Sequence, residues 1–121
     1  MLKTATSNET QIFVSSYIDK ASQLIFRGRQ YKCSIGYNGA KLKKREGDGT
    51  TPVGNFLIRK ILYRPDRIDR PISKLPTKAL SPIDAWCDDP SHDEYNRMVK
   101  LPFSGSYELL WRKDNLYDVI L

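Results

Sequence analysis

Apolar residues in this chain recur over short stretches with period two, and no strong 3.6-residue period runs through it, so the elements it predicts are strands. In residues 11–15, Ile12 and Val14 mark one face of a half-buried strand. Residues 22–26 predict a second short strand, and the Gly28 region turns the chain into 29–35. There Tyr31, Cys33 and Ile35 share one face, with Lys32 and Ser34 on the other. The longest candidate covers 55–63, with Phe56, Ile58 and Leu62 on one side and Leu57, Ile61 and Tyr63 on the other. Two apolar faces predict a strand enclosed in the interior. Residues 64–90 hold five of the seven prolines, which excludes a long helix and predicts an irregular excursion. Its packing residues are Ile68, Ile72, Leu75, Leu80, Ile83 and Trp86. Ser104 or Ser106 is suited to cap a short helical turn over 108–111, and Asp114-Asn115 signals a turn. A last strand, 116–121, sets Tyr117, Val119 and Leu121 opposite Leu116, Asp118 and Ile120. Such an apolar strand calls for a neighbour on each side, and an open edge there invites pairing with another chain.

Between the early strands and the 55–63 segment lies Lys44-Arg45-Glu46-Gly47-Asp48-Gly49-Thr50-Thr51-Pro52-Val53-Gly54. Its glycines permit backbone angles closed to other residues, Asp48 is suited to bond its own backbone in a turn, and Pro52 drives Thr51 into an extended conformation. The segment predicts a rigid surface loop. It lacks GxxxxGK[ST] and leads into a strand, whereas a phosphate cradle needs the amides of a helix N-terminus, so it is not a P-loop.

Composition narrows the class further. At 121 residues, 40% hydrophobic and 28% charged, the chain has the make-up of an ordinary globular domain. No apolar run approaches a membrane span. Residues 1–10 are polar, without the apolar core of a signal peptide, and are expected to fray. A net charge of +6 attracts anions. The bases are dispersed, however, and the densest group (Lys41, Lys43, Lys44, Arg45) reads as a solvated face, so no specific nucleic-acid partner is called for. Two cysteines make no disulfide framework.

Taken in order, several motifs carry a resemblance: Cys33-Ser34-Ile35-Gly36, the glycine loop, Tyr63-Arg64-Pro65-Asp66-Arg67, Arg70-Pro71, and Trp86-Cys87-Asp88-Asp89-Pro90. They continue through Tyr95-Asn96-Arg97, Val99-Lys100-Leu101-Pro102, Glu108-Leu109-Leu110-Trp111-Arg112 and Leu116-Tyr117-Asp118-Val119-Ile120. The ordered set resembles the bacterial L,D-transpeptidase catalytic domain of the YkuD type over residues 11–121. The resemblance implies a mainly β protein, a β-sandwich with minor helix, and activity in peptidoglycan cross-linking or cell-wall remodelling in the envelope. In that family a cysteine thiolate attacks a wall-peptide carbonyl and expels D-alanine, a histidine takes the thiol proton, and backbone amides steady the oxyanion. The family's strand histidine and its Ser/Thr-x-Gly-Cys nucleophile follow the strand matched here by 116–121. The expectation is therefore a partial domain over 11–121, truncated at its C-terminus and inactive alone. A missing C-terminal segment or a partner chain would complete it.

The groups on hand agree with that expectation. Cys33, on an apolar face, reads as core packing, as does the equivalent cysteine of relatives. Cys87 lies five residues from His92, but Asp88 and Asp89 beside it disfavour a thiolate and no glycine precedes it. It reads as a structural loop cysteine, with a Cys87–His92 dyad as the sharper alternative. The acids and His92 around it lack metal-ligand spacing. No metal and no cofactor are called for. Tyr95, Asn96 and Arg97 are the substrate-binding candidates, because a planar guanidinium suits the carboxylates of peptidoglycan stem peptides. The competing role for these three is a network that pins the long loop. Trp86 and Trp111 read as anchors.

Overall fold

The computed structural model describes residues 11–16, 22–42 and 45–121. The polar N-terminus and Lys43 and Lys44 of the basic group lie outside the described residues. The chain divides into two compact units, Met1–Asn55 and Phe56–Leu121.

In the first unit, β1 (Ile12–Ser15), β2 (Gln23–Phe26) and β3 (Arg29–Lys32) form an antiparallel meander in the order β1-β2-β3. Arg27 and Gly28 make the tight β2–β3 turn with positive φ angles of 48° and 74°. The face reading for β1 is reversed: Ile12 and Val14 point to solvent, while Phe13 and Ser15 are half-buried. Tyr31 is likewise exposed. With Ile12 and Val14 on one face and the larger Phe13 on the other, so short a strand leaves its orientation to the neighbouring element, and local alternation does not decide it.

The glycine loop joins β4 (Ala40–Lys41) to β5 (Thr51–Pro52), which run parallel. Asp48 closes the turn as expected: its Oδ1 accepts the Thr50 N–H at 3.0 Å and the Thr50 hydroxyl at 2.8 Å. Gly49, at φ 71°, lies under the Tyr37 ring. Gly36 approaches the loop so closely that a Cβ there would stand 2.3 Å from the Gly49 carbonyl oxygen. The Gly36 N–H donates to Thr51 Oγ1 at 2.7 Å, which fixes the loop's exit.

The second unit holds two three-stranded sheets. In one, β6 (Ile61–Tyr63) lies between β7 (Thr77–Ala79), to which it is parallel, and β11 (Val119–Ile120), to which it is antiparallel. In the other, β8 (Asp84–Cys87) lies between β10 (Tyr107–Leu109) and β9 (Met98–Lys100), antiparallel to both. Both central strands are enclosed, and all three residues of β6 are buried. Leu62, Leu80 and Leu110 form the core, with Trp86, Met98, Trp111, Tyr117 and Ile120 packed on it from both sheets. Every element among the described residues is a strand, so the protein is mainly β.

Three expectations change here. The enclosed strand is only Ile61–Tyr63: Phe56 and Leu57 are 71% and 88% exposed, because β7 and β11 register with positions 61–63 and no strand flanks 56–60. The short helical turn at 108–111 is absent; Tyr107–Leu109 instead pairs with Cys87, Trp86 and Ala85. The 64–90 excursion contains β7 and β8, and of its apolar residues Leu80 is buried while Ile72 and Ile83 face solvent. In each case a tertiary pairing overrides local propensity.

A pair of arginines ties the excursion to the segment before β11. Arg64 is buried; its guanidinium forks onto Asp66 with two bonds of 2.9 Å, donates to the Arg112 carbonyl at 2.7 Å and stacks over Trp111 at 4.0 Å. The hydrogen bond from Arg64 is the main reason the Asp66 carboxyl lies below its ordinary range. Arg67 donates to Asp118 at 2.7 Å and to the carbonyls of Arg112 and Lys113 at 2.9 Å each. Bidentate and stacked contacts of this kind are specific to arginine.

Candidate functional site

Trp86-Cys87 ends β8, and the chain returns to β9 through residues 88–97. Two backbone bonds clamp the neck of this loop: Cys87 N–H to the Arg97 carbonyl and Asn96 N–H to the Cys87 carbonyl, both 2.9 Å. Asn96 makes this closure by adopting φ 59°, a conformation asparagine tolerates better than most residues. Its side chain is committed as well, because Oδ1 accepts the Trp86 indole N–H at 3.1 Å. Inside the loop, Asp89 Oδ1 accepts both the Ser91 N–H (3.0 Å) and the Ser91 hydroxyl (2.7 Å). The hydroxyl bond is the leading cause of the lowered pKa of Asp89.

At the base of β8, Asp84 is fully buried. It accepts the Ser81 N–H at 2.8 Å and an ion pair from Lys100 across the β8–β9 ladder. Burial alone would raise its pKa; the Lys100 ammonium and the Ser81 amide outweigh that and hold the carboxyl below its ordinary value.

Beside the loop lies an open groove of about 560 Å³, wholly within the second unit. Its floor is apolar: Leu62, Trp86, Met98 and Ile120. Its rim carries Arg59, Lys60 and Arg97 together with Glu94 and Asn96. Of the three sequence candidates, Asn96 and Arg97 therefore line the groove. Tyr95 is 36% exposed and stands outside the lining. Arg97 is 69% exposed and has only a loose ion pair with Glu94, at 3.9 Å. Asn96 fills the structural role as well, pinning the loop through Trp86 and Cys87.

The Cys87–His92 dyad is not assembled. The Cys87 side chain is fully buried, and its sulfur lies 4.0 Å from the Asp89 carbonyl oxygen. His92 Nδ1 accepts the Glu94 N–H at 3.0 Å, and Nε2 lies 3.3 Å from Ser104 Oγ. With Nδ1 accepting, the neutral ring carries its proton on Nε2 and donates to the serine. The ring face packs on Phe103 at 4.6 Å. Cys33 is half-buried, also without a disulfide. Among the described residues no three His, Cys, Asp or Glu side chains gather in a metal-holding group.

Sequence reasoning missed Arg59 and Lys60. They sit in what read as an enclosed strand, where alternation placed Arg59 among apolar residues. Two adjacent cations inside a nominally buried run were the available signal that the run is not buried.

Residues 11–117 match the family model of YkuD, the L,D-transpeptidase catalytic domain, and the chain belongs to that family. No curated protein and no solved structure matches it significantly.

Proposed function

We propose that this chain supplies the peptide-holding scaffold of an L,D-transpeptidase-type domain working on peptidoglycan, and that residues 1–121 do not themselves perform thiol acyl transfer. The observation that carries the reading is the state of the only histidine and of the cysteine nearest to it. Acyl transfer needs an exposed thiol, a base within hydrogen-bond reach of it, and amides aimed at the oxyanion. Cys87 is buried against a carbonyl, and both His92 nitrogens are taken up by Glu94 and Ser104. What the unit does offer is an apolar groove rimmed by Asn96 and Arg97, a shape and charge suited to an extended peptide with carboxylates. Incubation of the purified chain with muropeptides bearing tetrapeptide stems tests this. The expected result is binding without cross-linked product or released D-alanine, and turnover would refute it.

A second reading is favoured by one feature of the sheet. β11 lies at an edge, paired with β6 alone among the described residues, with Val119 and Leu121 exposed. A further strand, from a partner chain or from a C-terminal continuation, would pair there by β-augmentation. Size-exclusion chromatography tests it: self-association at micromolar concentration supports an edge that recruits strands, and a clean monomer counts against it.

A further inference from the structure

Arg59 and Lys60 are two exposed cations on the rim of the groove, and neither side chain has a hydrogen bond or an ion pair among the described residues. With Arg97, they give the groove lining three cationic side chains against one acidic side chain, Glu94. Elsewhere in the second unit Arg64, Arg67, Lys100 and Arg112 are paired with Asp66, Asp118, Asp84 and Asp114, while Arg70, Lys74, Lys78 and Lys113 lie outside the groove lining. A rim with an excess of positive charge over an apolar floor is complementary to an anionic ligand with an aliphatic body.

We propose that Arg59 and Lys60 form a carboxylate-gripping pair, and that the groove takes an extended acidic peptide whose free carboxylates lie on this pair while its aliphatic side chains lie on Leu62, Met98 and Ile120. The inference rests on the wall-peptide reading above and deepens it by assigning two residues that the loop motif does not contain. A peptide fits better than a nucleic acid on three counts. The floor has one aromatic, Trp86, whose indole N–H is committed to Asn96, whereas single strands need stacking platforms. Glu94 accepts peptide N–H groups or an amine, which a sugar–phosphate backbone does not offer. Adjacent arginine and lysine heads match separate carboxylates along a short chain.

The test is calorimetric titration of the whole chain with an isolated wall tetrapeptide whose carboxylates are free, and with the same peptide amidated. The expected results are tighter binding of the free acid, weakening with added salt, and about 10-fold weaker binding by the Arg59→Ala, Lys60→Ala double variant. The charge-preserving Arg59→Lys, Lys60→Arg pair should restore most of that loss. Both side chains are exposed, so circular dichroism should be unchanged in either variant. Equal binding of the free acid by wild type and the double-alanine variant would overturn the carboxylate grip and leave the wall-peptide reading standing. Binding of neither peptide, with capture of a single-stranded oligonucleotide instead, would overturn both.

Discussion

The phenol of Tyr117 offers a quantitative test of the second unit's packing. Its hydroxyl donates to Glu108 Oε1 at 2.6 Å while its ring packs on the core, and Arg112 sits 5.9 Å from that ring. Burial first, and then the bond to Glu108, push its pKa from 10.0 up to about 12. The raised value means that the folded state holds the proton that the unfolded chain gives up. The stabilisation is therefore complete below pH ~10, falls as the unfolded phenol ionises, and is gone once pH has risen through the folded value. A shift of that size corresponds to roughly 3 kcal/mol; because the phenol and Glu108 are both part-exposed, solvent screening cuts the expected loss to about half of that, most of it spent by pH ~11. Tyr117→Phe removes the hydrogen bond and the titration together. At neutral pH the variant should be less stable by about 1.5 kcal/mol, the low end for a bond to a charged group, because Glu108 is part-exposed and keeps Arg112 within 3.9 Å. Urea unfolding of both proteins at about pH 7, 9 and 11 should show that difference steady to pH ~9 and nearly closed at pH ~11. A difference that stays constant between pH ~9 and ~11 would mean that Tyr117 titrates as an exposed phenol, and the packing argument would be wrong.

Three further outcomes are expected. Asp84→Asn should cost about 3 kcal/mol at neutral pH, since it strips a buried carboxylate from Lys100. Because the folded pKa of Asp84 is lowered, the wild-type advantage should be full above pH ~4 and disappear as pH falls through the folded value; acid unfolding curves of the two proteins would check this. Gly36→Ala should destabilise the first unit by about 1–3 kcal/mol, since its Cβ would meet the backbone of Gly49 and Thr50, which cannot turn aside as a side chain can; limited proteolysis in the 36–51 region would report it. Thiol labelling of the native protein should modify Cys33 and spare Cys87 until denaturant is added, and rapid native labelling of Cys87 would contradict its burial.

Much of this protein was fixed by residue order alone. The succession of short motifs placed it in the L,D-transpeptidase family. Proline spacing ruled out a long helix, and Asp48 and Pro52 set the course of the glycine loop. These features act within a few bonds of the residues that cause them: an Asp bonds its own turn, and a proline restricts its own φ and its neighbour's ψ. The tertiary structure decided the rest. Phe56 and Leu57 are exposed because the neighbouring strands stop short of them, residues 107–109 became a strand because β8 presented an edge, and the faces of β1 followed its partner. The groove belongs to the same class. Arg59 and Arg97 are far apart in sequence, and they share one rim only because β6, β8, β9 and β11 pack around a common apolar core. Burial and long-range pairing depend on which segments meet, which periodicity within a single segment does not encode.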